Sequence, residues 1–122
     1  GSAAEDIIKN AENVNGVNVV CAVIEDTDTN GLKTMGDELK NKLGSAVVVL
    51  ASVKEGKIGL VAMATDDAVK KGAHSGNIIK AAAAVCGGGG GGKPNMAQAG
   101  GKDASKLAEA VEKAKEVIKE QL

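Results

Sequence analysis

Residues 46–64 read AVVVLASVKEGKIGLVAMA, two apolar, β-branched runs on either side of Lys54-Glu55-Gly56. Runs of this length and composition favour extended backbone, and a short glycine-bearing break between them predicts a tight hairpin. Working back from it, residues 17–24 (VNVVCAVI) read as a buried strand. Between that strand and the hairpin, Asp26 to Gly31 is polar turn material leading into a helix. Leu32, Met35, Leu39 and Leu43 share one face of this helix, and Gly44 closes it. At the start, Ile7, Ile8, Ala11 and Val14 fall at helical spacing, which predicts a helix over roughly Ala3 to Val14 before the Asn15-Gly16 turn. Working forward, Thr65 or Asp66 caps a short helix ending at Gly72. Ser75 caps the next, whose stripe is Ile78, Ile79, Ala82 and Val85. After a glycine segment, residues 95–99 (NMAQA) allow a brief strand. Asp103 or Ser105 then opens a last helix with Ala104, Leu107, Ala108, Val111, Ala114, Ile118 and Leu122 facing inward. The pattern predicts an α/β fold, one domain with a small mixed β-sheet flanked by helices, without internal repeats.

A chain of 122 residues, 43% apolar and 25% charged, has the composition of an ordinary globular domain. It contains no Phe, Tyr or Trp, and no basic side chain other than lysine and His74. Its core must therefore be built from aliphatic side chains, and any nucleic-acid surface must work without aromatic platforms or guanidinium forks. Cys21 and Cys86 lie in apolar runs and read as free buried thiols of a reducing, cytoplasmic protein. No signal peptide or membrane-length apolar segment is present, so no membrane partner is expected. Gly1-Ser2 reads as a protease scar, which makes the chain an expected piece of a longer protein.

The six glycines Gly87, Gly88, Gly89, Gly90, Gly91 and Gly92, followed by Lys93 and the only proline, are the most expensive segment to order. They match G-x-x-x-x-G-K, as any such run must. A nucleotide-binding phosphate loop needs Ser or Thr after the lysine and lies between a strand and a helix. Here Pro94 follows, and the segment comes after a helical pattern. A dinucleotide fingerprint fails on the same context. What glycine permits without any motif is close approach of bare backbone to a partner, and a hinge or a lid remain open beside it. No catalytic constellation is visible. His74 has no metal-ligand spacing to another donor and reads as a cap or surface group, and Asp66-Asp67 suit a helix start.

Charge is segregated along the chain. Residues 1–67 carry six lysines against eleven acids, and residues 103–122 carry four against five. Between them, residues 68–102 hold Lys70, Lys71, Lys80, Lys93 and Lys102 and no acid at all. A near-neutral domain with one positive face suits an anionic partner held in one orientation.

From residue 39 onward, and most specifically in the glycine run through KPNMAQAGG together with GAHSGNIIK (72–80), the sequence resembles the C-terminal (C-Ala, DHHA1-type) domain of bacterial alanyl-tRNA synthetase. The resemblance implies a single DHHA1-like tRNA-binding domain over residues 16–122, with residues 3–15 as the tail of a preceding helical region. It implies an ATP-dependent alanine–tRNA ligase whose aminoacylation and editing sites, with ATP, magnesium and zinc, lie in earlier domains. This segment would then hold no cofactor and no catalytic residue. Its expected partners are tRNA(Ala), gripped at the outer corner so that aminoacylation and editing are linked on one tRNA, and the other synthetase domains. Some members dimerise through the preceding helical region, so with that region mostly missing at most a weak homodimer is expected. The related DHH-type phosphoesterases carry a Gly-Gly-Gly-His signature, which Lys93-Pro94 replaces here. A structural or dimerisation module of the synthetase, and the accessory domain of a free-standing alanyl-tRNA editing hydrolase or of a DHH-type phosphoesterase, stay open as alternatives. Combining charge, glycine and resemblance, the RNA-binding residues are expected to be Lys70, Lys71, His74, Lys80, Gly87 to Gly92, Lys93 and Lys102.

Overall fold

The computed structural model describes residues 3–122; the scar read at Gly1-Ser2 lies outside them. Its centre is the expected hairpin. Strands β3 (Ala46–Lys54) and β4 (Lys57–Ala64) pair antiparallel from Val47 opposite Ala64 to Lys54 opposite Lys57. Glu55 (φ 52°) and Gly56 (φ 77°) form the two-residue turn. Two left-handed residues in succession match the right-handed twist of the strands they join. Residues 46–52 and 58–64 are buried without alternation, as required of strands covered on both faces.

Both covers come from the flanking sequence. Helix α1 (Ala3–Lys9) and helix α2 (Thr29–Leu43) lie on one face, where Ala4, Leu32 and Leu39 meet Val20, Val48, Leu50, Val61 and Met63. Asp28 caps α2 by accepting from Gly31 N at 2.8 Å, and Gly44 (φ 79°) closes it. The other face carries α3 (Asp66–Lys70), α4 (Ser75–Val85) and α5 (Leu107–Gln121). There Ile78, Ile79, Ala82, Ala110, Ala114 and Ile118 cover Val47, Val49, Leu60 and Ala62. The cohesion aromatics would concentrate is spread over aliphatic side chains, each contributing about 1.5–3 kcal/mol. Alanine on both sides of the contact lets α4 and α5 pack closely.

The six-stranded mixed sheet has the order β1 (Glu12–Val14), β2 (Val17–Val23), β3, β4, β6 (Met96–Gly101), β5 (Gly90–Gly92), with β2 parallel to β3 and all other neighbours antiparallel. Beyond β4 come β6 (Met96–Gly101) and, at the edge, β5 (Gly90–Gly92). Three glycines in a row thus form a strand that propensity alone would refuse; pairing with β6 supplies the register.

Several expectations are corrected. The first helix stops at Lys9, and Glu12–Val14 form edge strand β1 instead of its last turn. Asn15 (φ 52°) and Gly16 (φ 87°) make a hairpin turn, and Asn13 Oδ1 accepts from Gly16 N. An Asn-Gly turn between apolar residues outweighs a short helical pattern. Residues 3–15 therefore supply one helix and one strand of this same sheet. On α5 the inner face is Leu107, Ala110, Val111, Ala114 and Ile118, while Ala104 and Ala108 are exposed. Ala104–Lys106 wind as a 3-10 turn capped by Asp103, which shifts the helical phase before Leu107. Cys21 and Cys86 are free, and burial pushes the Cys21 thiol up to about 12.

Candidate nucleic-acid interface

The strand directions place the ends of β4 and β5 and the starts of β2, β3 and β6 at one end of the sheet. Helix α4 begins at that end. His74 caps it: its Nδ1 accepts from Asn77 N at 3.1 Å, so a neutral ring carries its proton on Nε2. The expected cap, Ser75, is instead the first helical residue, buried, with its Oγ unpartnered among the described residues. Gln121 Oε1 accepts from His74 N at 2.9 Å, tying the end of α5 to this cap.

The remaining amides at the start of α4 are also taken. Ser75 N donates to Pro94 O at 2.8 Å, Gly76 N to Lys93 O at 3.2 Å and Ile78 N to His74 O at 3.1 Å. No free amide is left at this helix end to cradle a phosphate, so anion attraction falls to the lysines. The same bonds fix the turn that carries Lys93.

The glycine strand is exposed on its outside and tightly fitted on its inside. Lys93 N donates to Met96 O (2.9 Å) and Gly100 N to Gly89 O (3.3 Å). Antiparallel alternation between these two bonds makes Gly91 and Gln98 a hydrogen-bonded pair and turns the amides of Gly90 and Gly92 to the outer edge. A Cβ on Gly92 would stand 2.6 Å from Met96 O, and one on Gly76 would stand 2.5 Å from Gly92 O. At Gly89 and Gly91 a Cβ would meet nothing within 4 Å. The run therefore divides by parity, with some glycines serving the fold and others bare towards solvent.

The basic residues distribute around this strand as follows. Lys93 follows it directly, and His74 reaches over Gly76 beside Gly92. Lys80 is exposed on α4, which packs on β5. Lys102 stands by Gly87 at the strand's other end, roughly 20 Å from Lys93 by strand rise. Lys70 and Lys71 end the short α3 on the same end of the sheet as His74. Lys71 leans away: its Nζ donates to Asn15 O at 3.2 Å, across towards the β1–β2 turn. The arrangement thus brings His74, Lys80, Lys93 and Lys102 around the glycines and draws the Lys71 ammonium towards the β1–β2 turn.

Among the described residues none of these five lysines pairs with a carboxylate. The ion pairs belong to Lys40, Lys42, Lys106, Lys115 and Lys119. The acids that bound this window, Asp67 and Asp103, are engaged: hydrogen bonds from Ser45 Oγ and Thr65 Oγ1 to Asp67, and from Ser105 Oγ and N to Asp103, hold both carboxyls below the usual range. Sequence reasoning missed Asn95, Met96 and Gln98, which line a concavity of about 400 Å³ with Gly91, Gly92 and Lys93. Their alternation along β6 was the available signal, but its small residues hid it.

Comparison with known proteins agrees with this architecture. A model of the DHHA1 domain matches residues 16–120. Alanine–tRNA ligase of Acetivibrio thermocellus is 54% identical over 121 residues, 99% of this chain and 14% of that protein. Alanine–tRNA ligase 1 of Lachnoclostridium phytofermentans is 51% identical over 117 residues, 96% of this chain and 13% of that protein. The chain therefore spans about one-seventh of these relatives. The crystal structure of the C-Ala domain from Aquifex aeolicus alanyl-tRNA synthetase superposes with a TM-score of 0.78 at 32% identity, covering 90% of this chain and 98% of that one. A DHH domain described as a member of the s1p family of ribosomal proteins shares the fold alone, with a TM-score of 0.63 at 16% identity over 97% of this chain and 30% of that one. With a family model over most of its length and a whole solved domain matched end to end, the chain belongs to the DHHA1 domain family, as a domain of the C-Ala kind found in alanyl-tRNA synthetase.

Proposed function

We propose that this chain is the tRNA-binding C-terminal domain of an alanine–tRNA ligase. It grips the outer corner of tRNA(Ala) and so keeps one tRNA within reach of aminoacylation and editing centres in the rest of the enzyme. The observation that carries this reading is the set of unpaired lysines around an uncovered backbone edge. Lysines spent on carboxylates have little to offer a phosphate, whereas free ones release condensed counterions from RNA when they bind. Point charges of this kind position a duplex without reading its sequence. The domain then raises effective concentration, and identity is left to the other domains. ATP, magnesium and zinc belong to those domains in this reading, and the chain alone contributes binding.

Anisotropy titration separates outer-corner binding from general RNA affinity. Intact tRNA(Ala) is expected to bind with a salt-dependent affinity. A minihelix comprising only the acceptor stem and T arm, which lacks the folded corner, is expected to bind at least about tenfold more weakly. Equal affinity for the two RNAs would contradict corner recognition.

A further inference from the structure

The concavity beside the glycine strand has a chemistry that phosphate contacts do not use. Helix α2 packs on β3 and β4; beyond it Met96 of β6 is half-buried at the rim of that core, and Gln98 and the glycines of β5 are exposed. On that side Gly91 lies opposite Gln98 in register, and Met96 follows on the same face of β6. The lining has one cation, Lys93, two side-chain amides, Asn95 and Gln98, and no carboxylate. Asn95, Gln98 and Lys93 are exposed, and no side-chain hydrogen bond occupies them among the described residues. The backbone plane at Gly91 is bare although the fold does not require it, since a Cβ there meets nothing within 4 Å.

Resting on the RNA-binding reading above, we infer that this shelf receives one unstacked nucleobase of the bound RNA. A base is a flat, polarisable plate with donors and acceptors around its edge. The Met96 thioether is a polarisable surface on which an aromatic ring packs favourably, and Gly91 leaves the plate room to lie against the main chain. Asn95 and Gln98 each offer a donor and an acceptor to a base edge. Lys93 stands where the phosphate of the same nucleotide would be. RNA displays splayed bases in its loops and corners, where proteins read them by stacking and edge contacts. In a chain without aromatic residues, a methionine and a glycine plane take the place of the stacking ring. The shelf adds base contact, and with it some sequence preference, to an interface otherwise made of point charges.

Gly91→Val and Gln98→Ala test this in the whole chain against a tRNA(Ala) transcript over a salt series. Both variants are expected to keep the parental Tm, because neither site is packed. Each is expected to weaken binding about tenfold while the slope of log affinity against log salt stays unchanged, because no phosphate contact is lost. Parental affinity in both variants would overturn the inference and leave the lysine interface standing. Weaker binding with a flattened slope would also overturn it, by making the shelf a phosphate site. If Gly91→Val lowers the Tm, Gln98→Ala alone decides between these outcomes. Failure of the broader reading looks different: the unmodified chain itself would then show no salt-dependent affinity for tRNA.

Discussion

Gly76→Ala is expected to destabilise the domain by about 3 kcal/mol, lowering the Tm by roughly 10 °C. The sign is the informative part. Alanine in place of glycine inside a helix ordinarily stabilises by about 1 kcal/mol, because it restricts the unfolded chain and favours helical backbone. Gly76 is in the first turn of α4, and the added Cβ would stand 2.5 Å from the carbonyl oxygen of Gly92. That oxygen belongs to main chain held on its other side by β6, so it cannot swing away as a flexible side chain would. Helix and strand must separate, and the bonds from Ser75 and Gly76 to Pro94 and Lys93 lengthen with them. Gly91→Ala is the matched control: it adds the same methyl where nothing lies within 4 Å and is expected to leave the Tm within about 1 °C. Thermal unfolding followed by circular dichroism measures both. A raised Tm for Gly76→Ala would show that α4 and β5 are not in contact.

The second large effect concerns RNA. The triple replacement of Lys80, Lys93 and Lys102 by alanine is expected to weaken tRNA binding on the order of 100-fold at about 0.1 M salt and to flatten the salt slope by roughly 2 to 2.7. All three side chains are exposed and form no ion pair among the described residues, so the Tm is expected to hold. Net charge changes by three, and a control must change it equally. Lys113, Lys115 and Lys119 on α5 serve, since Lys115 and Lys119 are already committed to Glu12, at 3.5 Å and 3.3 Å. Their removal is expected to leave RNA affinity within about twofold and to lose only the small stability of exposed pairs. Equal losses in both triples would mean that overall charge, rather than this face, governs binding.

Much of the fold was legible because its signals were local. The β3–β4 hairpin, the α2 stripe with its Gly44 closure and the short α3 each follow from residues adjacent in sequence. The strand in Gly90–Gly92 was not legible, because the strand it pairs with, β6, and the helix that packs on it, α4, are supplied by the fold. Glycine has no extended preference of its own, and register comes entirely from the partner. The His74 cap was legible only in part: the sequence allowed His74 a capping role but gave the start of α4 to Ser75, the commoner cap, and the packing of Gln121 and Pro94 around residues 74 and 75 shows which residue takes it. At the candidate interface, the acid-free window picked out His74, Lys80, Lys93 and Lys102, which the fold brings about one strand. It also drew in Lys71, whose ammonium is engaged by Asn15 on the far side of the sheet. A linear charge count cannot see which groups are already occupied. It passed over Asn95 and Gln98 because uncharged amides leave no trace in such a count.

Amide shift mapping of the isotope-labelled domain, titrated with tRNA(Ala), tests the assignment of the RNA face most directly. The expected perturbations cluster at Gly89 to Lys93, Asn95, Gln98, His74 and Lys80, with the acidic outer stripe of α5, Glu109, Glu112 and Glu116, unmoved. Perturbations concentrated on α5 or α1, with the glycine strand silent, would contradict it.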